Sequence, residues 1–167
     1  VRTLTVGVNH ASSTYAGQIV DNTGGAALGT VSLAKIGTGT LTLSGSNSYT
    51  GDTTISNGTL VADYSAGVPL SATSAIKMNG GTLVIANATT ATIGAITQVQ
   101  SAGFTTGVLR IENGATITTS AFAAEGYTPF LLDVTGGGTL VANALTNAAV
   151  TNGILMGTNN NRATLYV

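Results

Sequence analysis

The chain has 167 residues, 5 basic and 6 acidic side chains, one histidine, 23 glycines and no cysteine, for a net charge of -1. Its charged fraction of 7%, against roughly 25% in an ordinary soluble domain, gives no electrostatic footprint for nucleic acid, and zero cysteine excludes disulfides and thiolate metal sites. Near-zero net charge with a mean hydropathy of +0.38 argues against disorder, and no apolar run is long enough for a membrane-spanning helix.

Alternation at period two dominates from the start. Leu4-Thr5-Val6 opens the chain as a strand, with Asn9-His10-Ala11-Ser12-Ser13 as the loop after it. Leu41-Thr42-Leu43, Leu83-Val84-Ile85, Leu109-Arg110-Ile111 and Leu165-Tyr166-Val167 repeat the pattern, each with its apolar residues on one face. Ala-rich stretches at Ser120–Ala124 and Asn143–Val150 offer at most a turn of helix. Asn57-Gly58, Asn79-Gly80, Asn113-Gly114 and Asn152-Gly153 punctuate the strands and supply positive φ at low cost. They suit either hairpin turns or the corners of a solenoid.

Spacing decides between the two. Gly-Thr-Leu occurs at 39–41, 58–60, 81–83 and 138–140, with a looser Ala163-Thr164-Leu165 at the end. Leu41, Leu60, Leu83, Leu109, Leu140 and Leu165 are separated by 19, 23, 26, 31 and 25 residues. A superperiod of that length is one coil of a stacked repeat, whereas a meander places strands every 8–12 residues or so. The prediction is an all-β parallel β-solenoid of about six to seven coils, with 1–167 one solenoid domain or part of a longer one. Leu41 stacks over Leu60 and Leu83, with Leu43, Ala62 and Ile85 two residues on. The 31-residue gap predicts a protruding loop at 120–130. Phe122, Tyr127 and Phe130 in that loop are the candidate ligand contacts, since aromatic faces suit sugars.

The run from Lys35 to Leu60 carries a further signal. It reads Lys-x-Gly-x-Gly-Thr-Leu-x-Leu-Ser-Gly-x-Asn-x-Tyr-Thr-Gly-x-Thr-x-Ile-x-x-Gly-Thr-Leu. It resembles the autotransporter-associated β-strand repeat, also called the passenger-associated transport repeat. That resemblance implies a right-handed parallel β-helix in a large bacterial surface protein, secreted or displayed at the cell surface. It also implies a stalk or fibre module, not an enzyme.

Chemistry is sparse. Asp21, Asp52, Asp63, Asp133, Glu112 and Glu125 are isolated in sequence. A polysaccharide-cleaving site needs two carboxylates about 5–10 Å apart, and Glu112 with Asp133 or Glu125 is the pair that stacking could bring together. His10 stands in a loop without triad partners. No metal or cofactor site and no catalytic residue is predicted. Thr3/Thr5, Thr40/Thr42, Thr90/Thr92 and Thr116/Thr118 read as outward strand residues, with an ice-binding array as the sharper alternative. Asn57, Asn79 and Asn113 are candidates for a stacked asparagine ladder.

Neither end carries an evident cap. The chain opens at Val1 without a signal segment and reads as a mature or excised piece. Leu4 and Val6 at one end, and Leu165 and Val167 at the other, are the candidate assembly strands, since open solenoid ends pair unless capped. The predicted function is a structural module of an extracellular fibre, joined to covalently continuous repeats or to copies of itself. An adhesin contacting glycans or a host or matrix surface is the alternative.

Overall fold

A computed structural model describes residues 1–24, 29–99, 105–125, 130–134, 137–148, 154–157 and 164–166, with the backbone alone at 124–125, 145–148, 154–157 and 164–166. Thr, Val, Ile and Leu in alternation suit a pleated surface with one buried face. They build strands β1 to β18, numbered in chain order, and no helix appears among the described residues.

The first sheet contains β1 (Arg2–Val6), β3 (Val31–Lys35), β5 (Thr53–Ile55), β7 (Ile76–Met78), β10 (Ile96–Gln98), β13 (Phe122–Glu125) and β16 (Leu145–Ala148), in that order. The second contains β2 (Ser13–Tyr15), β4 (Thr40–Leu43), β6 (Thr59–Asp63), β8 (Thr82–Ala86), β11 (Gly107–Ile111), β14 (Phe130–Val134) and β17 (Ile154–Gly157). A third is shorter: β9 (Thr90–Ile93), β12 (Thr116–Thr119), β15 (Thr139–Ala142) and β18 (Thr164–Tyr166). Every strand pairing is parallel and joins one coil to the next, so the fold is an all-β parallel β-solenoid. Four turns, from β7 onward, have a strand in all three sheets, and the three before them have two. The expected six to seven coils are thus four complete turns preceded by three thinner ones.

Asn57-Gly58, Asn79-Gly80 and Asn113-Gly114 make corners here, not hairpins, and Asn152-Gly153 lies outside the described residues. Gly58 has φ +63, and a Cβ on it would lie 2.4 Å from the Gly39 carbonyl oxygen of the preceding coil. Both the conformation and the close stacking of corners require glycine there.

The inward rows follow the register. Leu41 pairs with Leu60, Leu60 with Leu83 and Leu83 with Leu109, as expected. Leu43, Ala62, Ile85 and Ile111 form the parallel row. The next partner of Leu109 is Leu132, 23 residues on, and not Leu140. Leu140 belongs to the third sheet, opposite Ile117 and Leu165. The 31-residue gap therefore joined two different sheets, because Gly-Thr-Leu encodes a corner entering a strand and says nothing of which sheet that strand joins.

The protruding loop at 120–130 is corrected with it. Its ends are the strands β13 and β14, and residues 126–129 lie outside the described residues. Ser120–Ala124, read as a possible helical turn, runs into β13.

Candidate functional site

The conspicuous polar side chains of the repeat point inward. Lys35, Asn47, Tyr49 and Thr53, four positions of the 35–60 pattern, are all buried. Burying polar groups is tolerated only when they are hydrogen-bonded, and each of these reaches a neighbouring corner.

Lys35 ends β3 facing the lumen, in register with Val6 before it and Ile55 after it. Its Nζ donates to the carbonyls of Ile36 at 2.8 Å, Gly37 at 2.9 Å and Asn57 at 3.3 Å. Desolvation lowers its pKa from the ordinary lysine value. The ammonium has three donors, and these three carbonyls match them, binding its own corner to that of the next coil.

Asn47 spans three coils. Its Oδ1 accepts the Ile19 amide at 2.7 Å, and its Nδ2 donates to the Pro69 carbonyl at 2.8 Å. Tyr49 and Thr53 share a hydroxyl contact of 2.7 Å; Thr53 meets Ser74 at 3.1 Å, and Ser74 donates to the Gly51 carbonyl at 2.6 Å. Burial pushes the Tyr49 hydroxyl pKa up.

Tyr64 lies beside this network with a buried hydroxyl that has no hydrogen-bond partner, and burial, with Tyr49 nearby, raises its pKa strongly. An unpaired buried hydroxyl costs about 1–3 kcal/mol. Tyr64→Phe is therefore expected to stabilise the protein by about 1 kcal/mol, measured as a higher urea midpoint at unchanged slope; a lower midpoint would contradict it.

Outside the lumen, Asp21 clips the first coil to the second. Its carboxylate accepts from the Thr50 hydroxyl at 2.6 Å, the Val31 amide at 2.7 Å and the Thr50 amide at 3.1 Å. The Thr50 hydroxyl first, then the Val31 amide, hold its pKa below the ordinary carboxylate value. A depressed folded pKa gives stability that is present above the unfolded value and lost as pH falls through the folded one. Asp21→Asn should thus flatten the acid limb of a melting-temperature profile. An unchanged acid limb would count against the clip.

The sequence-predicted contacts are placed differently. Phe122 and Phe130 are core residues, 1% and 0% exposed, with ring centroids 4.7 Å apart in an edge-on packing. Both sit at inward positions of their strands, so neither can stack on a sugar. Tyr127 lies outside the described residues. Asp133 is held by Arg110 at 2.8 Å, its register partner on the outer face. Glu112 is half-buried just past β11, and the Glu125 side chain is not described. His10, at φ +62, accepts the Thr38 amide at 3.1 Å and sits 3.2 Å from the Thr38 hydroxyl, closing an exposed turn. Among the described residues no group of three metal-ligating side chains occurs.

The asparagine ladder is also corrected. Asn57 is exposed and accepts the amide of its own neighbour Gly58, and Asn113 is an exposed turn residue at φ +58. Asn79 is half-buried, and among the described residues the fully buried asparagine is Asn47, whose fixed place in the repeat pattern is the available signal. Threonines do align outward in the third sheet, where Thr90 and Thr92 pair with Thr116 and Thr118, but Thr118 then meets Val141.

The first coil is open. Leu4 and Val6 of β1, Tyr15 of β2, and Leu33, Leu41 and Leu43 behind them line an apolar cavity of about 440 Å³. β1 and β2 are edge strands of their sheets, and Leu4 and Tyr15 are each 43% exposed. At the other end β18, which contains Leu165, is the edge of the third sheet, and Val167 lies outside the described residues.

Comparison with known families supplies the remaining finding. Residues 33–62 match the model of the passenger-associated-transport-repeat family, the span that contributes Lys35, Asn47, Tyr49 and Thr53. Comparisons with curated proteins and with solved structures gave no match. The segment 33–62 is accordingly similar to a passenger-associated transport repeat, a repeat of autotransporter passengers, and it is set in a parallel β-solenoid.

Proposed function

We propose that the chain is a structural module of a bacterial surface fibre, lengthened by coil stacking on coil through its end faces. The open first coil carries this reading. The outer edge of β1 presents unpaired backbone groups, and an apolar cavity lies beside it. An uncapped edge of this kind is a template for another strand, and what fits it best is a further coil of the same fold. In the purified chain a second copy can supply that coil. Head-to-tail contacts do not close and so give filaments.

Electron microscopy and light scattering over rising concentration test this. Rods that lengthen with concentration are expected, and Leu4→Lys, which places a charge on the edge, should shorten them without lowering stability. A monomer at every concentration would sink the stacking.

A further inference from the structure

We propose that Asn57 is a site of spontaneous deamidation, and that the fold directs this reaction to Asn57-Gly58 and away from Asn79-Gly80 and Asn113-Gly114. The three pairs look alike in sequence, and the fold separates them.

At Asn57 the Gly58 N–H donates to the Oδ1 of Asn57 itself at 2.8 Å. That contact keeps the Gly58 nitrogen against the side-chain amide, so a small rotation of the side chain turns the face of Cγ toward it once the proton is lost. Holding the reacting groups in contact removes much of the entropic part of such a barrier. Asn57 is also exposed, so solvent reaches the amide proton and the product.

Asn113 is exposed too, but its φ is +58 and that of Gly114 is +71. In the left-handed region ψ is about +47°, which turns the next amide nitrogen to the side of Cα away from Cβ and out of reach of Cγ. Asn79 is half-buried and its Oδ1 is enclosed without a hydrogen-bond partner, so no contact holds the Gly80 nitrogen against the side-chain amide as at Asn57. Solvent also reaches the Asn79 side-chain amide less freely than that of the exposed Asn57.

The chemistry needs only water. Solvent base takes the Gly58 amide proton, the nitrogen attacks Cγ of Asn57, and ammonia leaves to give a succinimide. Water then opens either ring carbonyl, giving aspartate or isoaspartate. Water is consumed, ammonia is released, and nothing is oxidised or reduced.

The position gives the modification consequences. The Asn57 main-chain carbonyl is an acceptor for Lys35, and a Cβ at Gly58 would already lie 2.4 Å from the Gly39 oxygen. An isoaspartate lengthens the main chain by a methylene at a corner with no spare room, so it loosens the second and third coils where the repeat binds them.

The test is incubation of the native protein in mildly alkaline buffer, with peptide mass mapping and isoaspartyl methyltransferase labelling, beside the same chain unfolded in urea. In urea the three sites should convert at similar rates. In the native protein Asn57 should convert about tenfold or more faster than Asn79 and Asn113. Native conversion at Asn113 or Asn79 that keeps pace with Asn57 would overturn the proposal. So would an Asn57 that is silent in the native protein but converts in urea.

Discussion

Asn47→Ala is expected to destabilise the protein by about 4 kcal/mol, since it leaves the Ile19 amide and the Pro69 carbonyl unpaired at roughly 1–3 kcal/mol each and removes side-chain packing as well. For a chain of this size that corresponds to a fall in melting temperature of about 10 °C. The position of the loss is as informative as its size. Ile19, Asn47 and Pro69 belong to three successive coils, and a solenoid is stabilised mainly by contacts between neighbours. Native-state hydrogen exchange should therefore show protection falling in the first three coils while β11 to β14 keep theirs. A change below about 1 kcal/mol would mean that water replaces the asparagine, and a uniform loss would mean that the coils do not behave as a one-dimensional stack.

Leu83→Ala should cost a comparable amount, about 3–4 kcal/mol. Leu83 is fully buried and stands in the row between Leu60 and Leu109, so truncation leaves a cavity whose walls are fixed by ladders on both sides and collapse poorly. Val61→Thr is the matched control. It points outward on the neighbouring strand β6 and should change stability by less than about 0.5 kcal/mol. Urea unfolding of both variants checks the register directly, because a one-residue slip exchanges inside for outside along a strand. Equal effects at the two sites would contradict the parallel register described here.

Between these two variants lies the division of labour within the repeat. Its leucines make the hydrophobic rows, and its lysine, asparagine, tyrosine and threonine close the corners from within. Their hydrogen bonds run between coils, so the motif is a specification for stacking. The segment 33–62 that matches the repeat family is the one that carries these contacts.

How much of this was legible in the sequence differs from residue to residue. Leu41, Leu60 and Leu83 were aligned correctly from spacing alone, because the coils between them are short and each Gly-Thr-Leu enters the same sheet. Leu140 was misaligned, because a third sheet begins at β9 and uses the same unit. Phe122 and Phe130 read as a surface cluster because the 31-residue gap around them joins leucines of two different sheets. Phe130 falls on an inward position once Leu109 pairs with Leu132, and Phe122 does so by pairing with the buried Ile96 of the first sheet. The Lys35–Thr53 pattern was visible, but nothing in a linear string says that a lysine in a nearly uncharged protein is inside.

The sequence by itself determined the class of the fold, the coil length, the inward leucine row and the repeat family, since all of these are local periodicities that a strand or a corner imposes on its own residues. Only the tertiary structure decided which sheet each Gly-Thr-Leu joins, that the polar signature of the repeat is its internal staple, that the aromatic pair is core, and which Asn-Gly corner is held ready to react. Those outcomes depend on which coil lies above and below, and stacking brings together residues about 20 to 30 positions apart whose partnership no local pattern encodes.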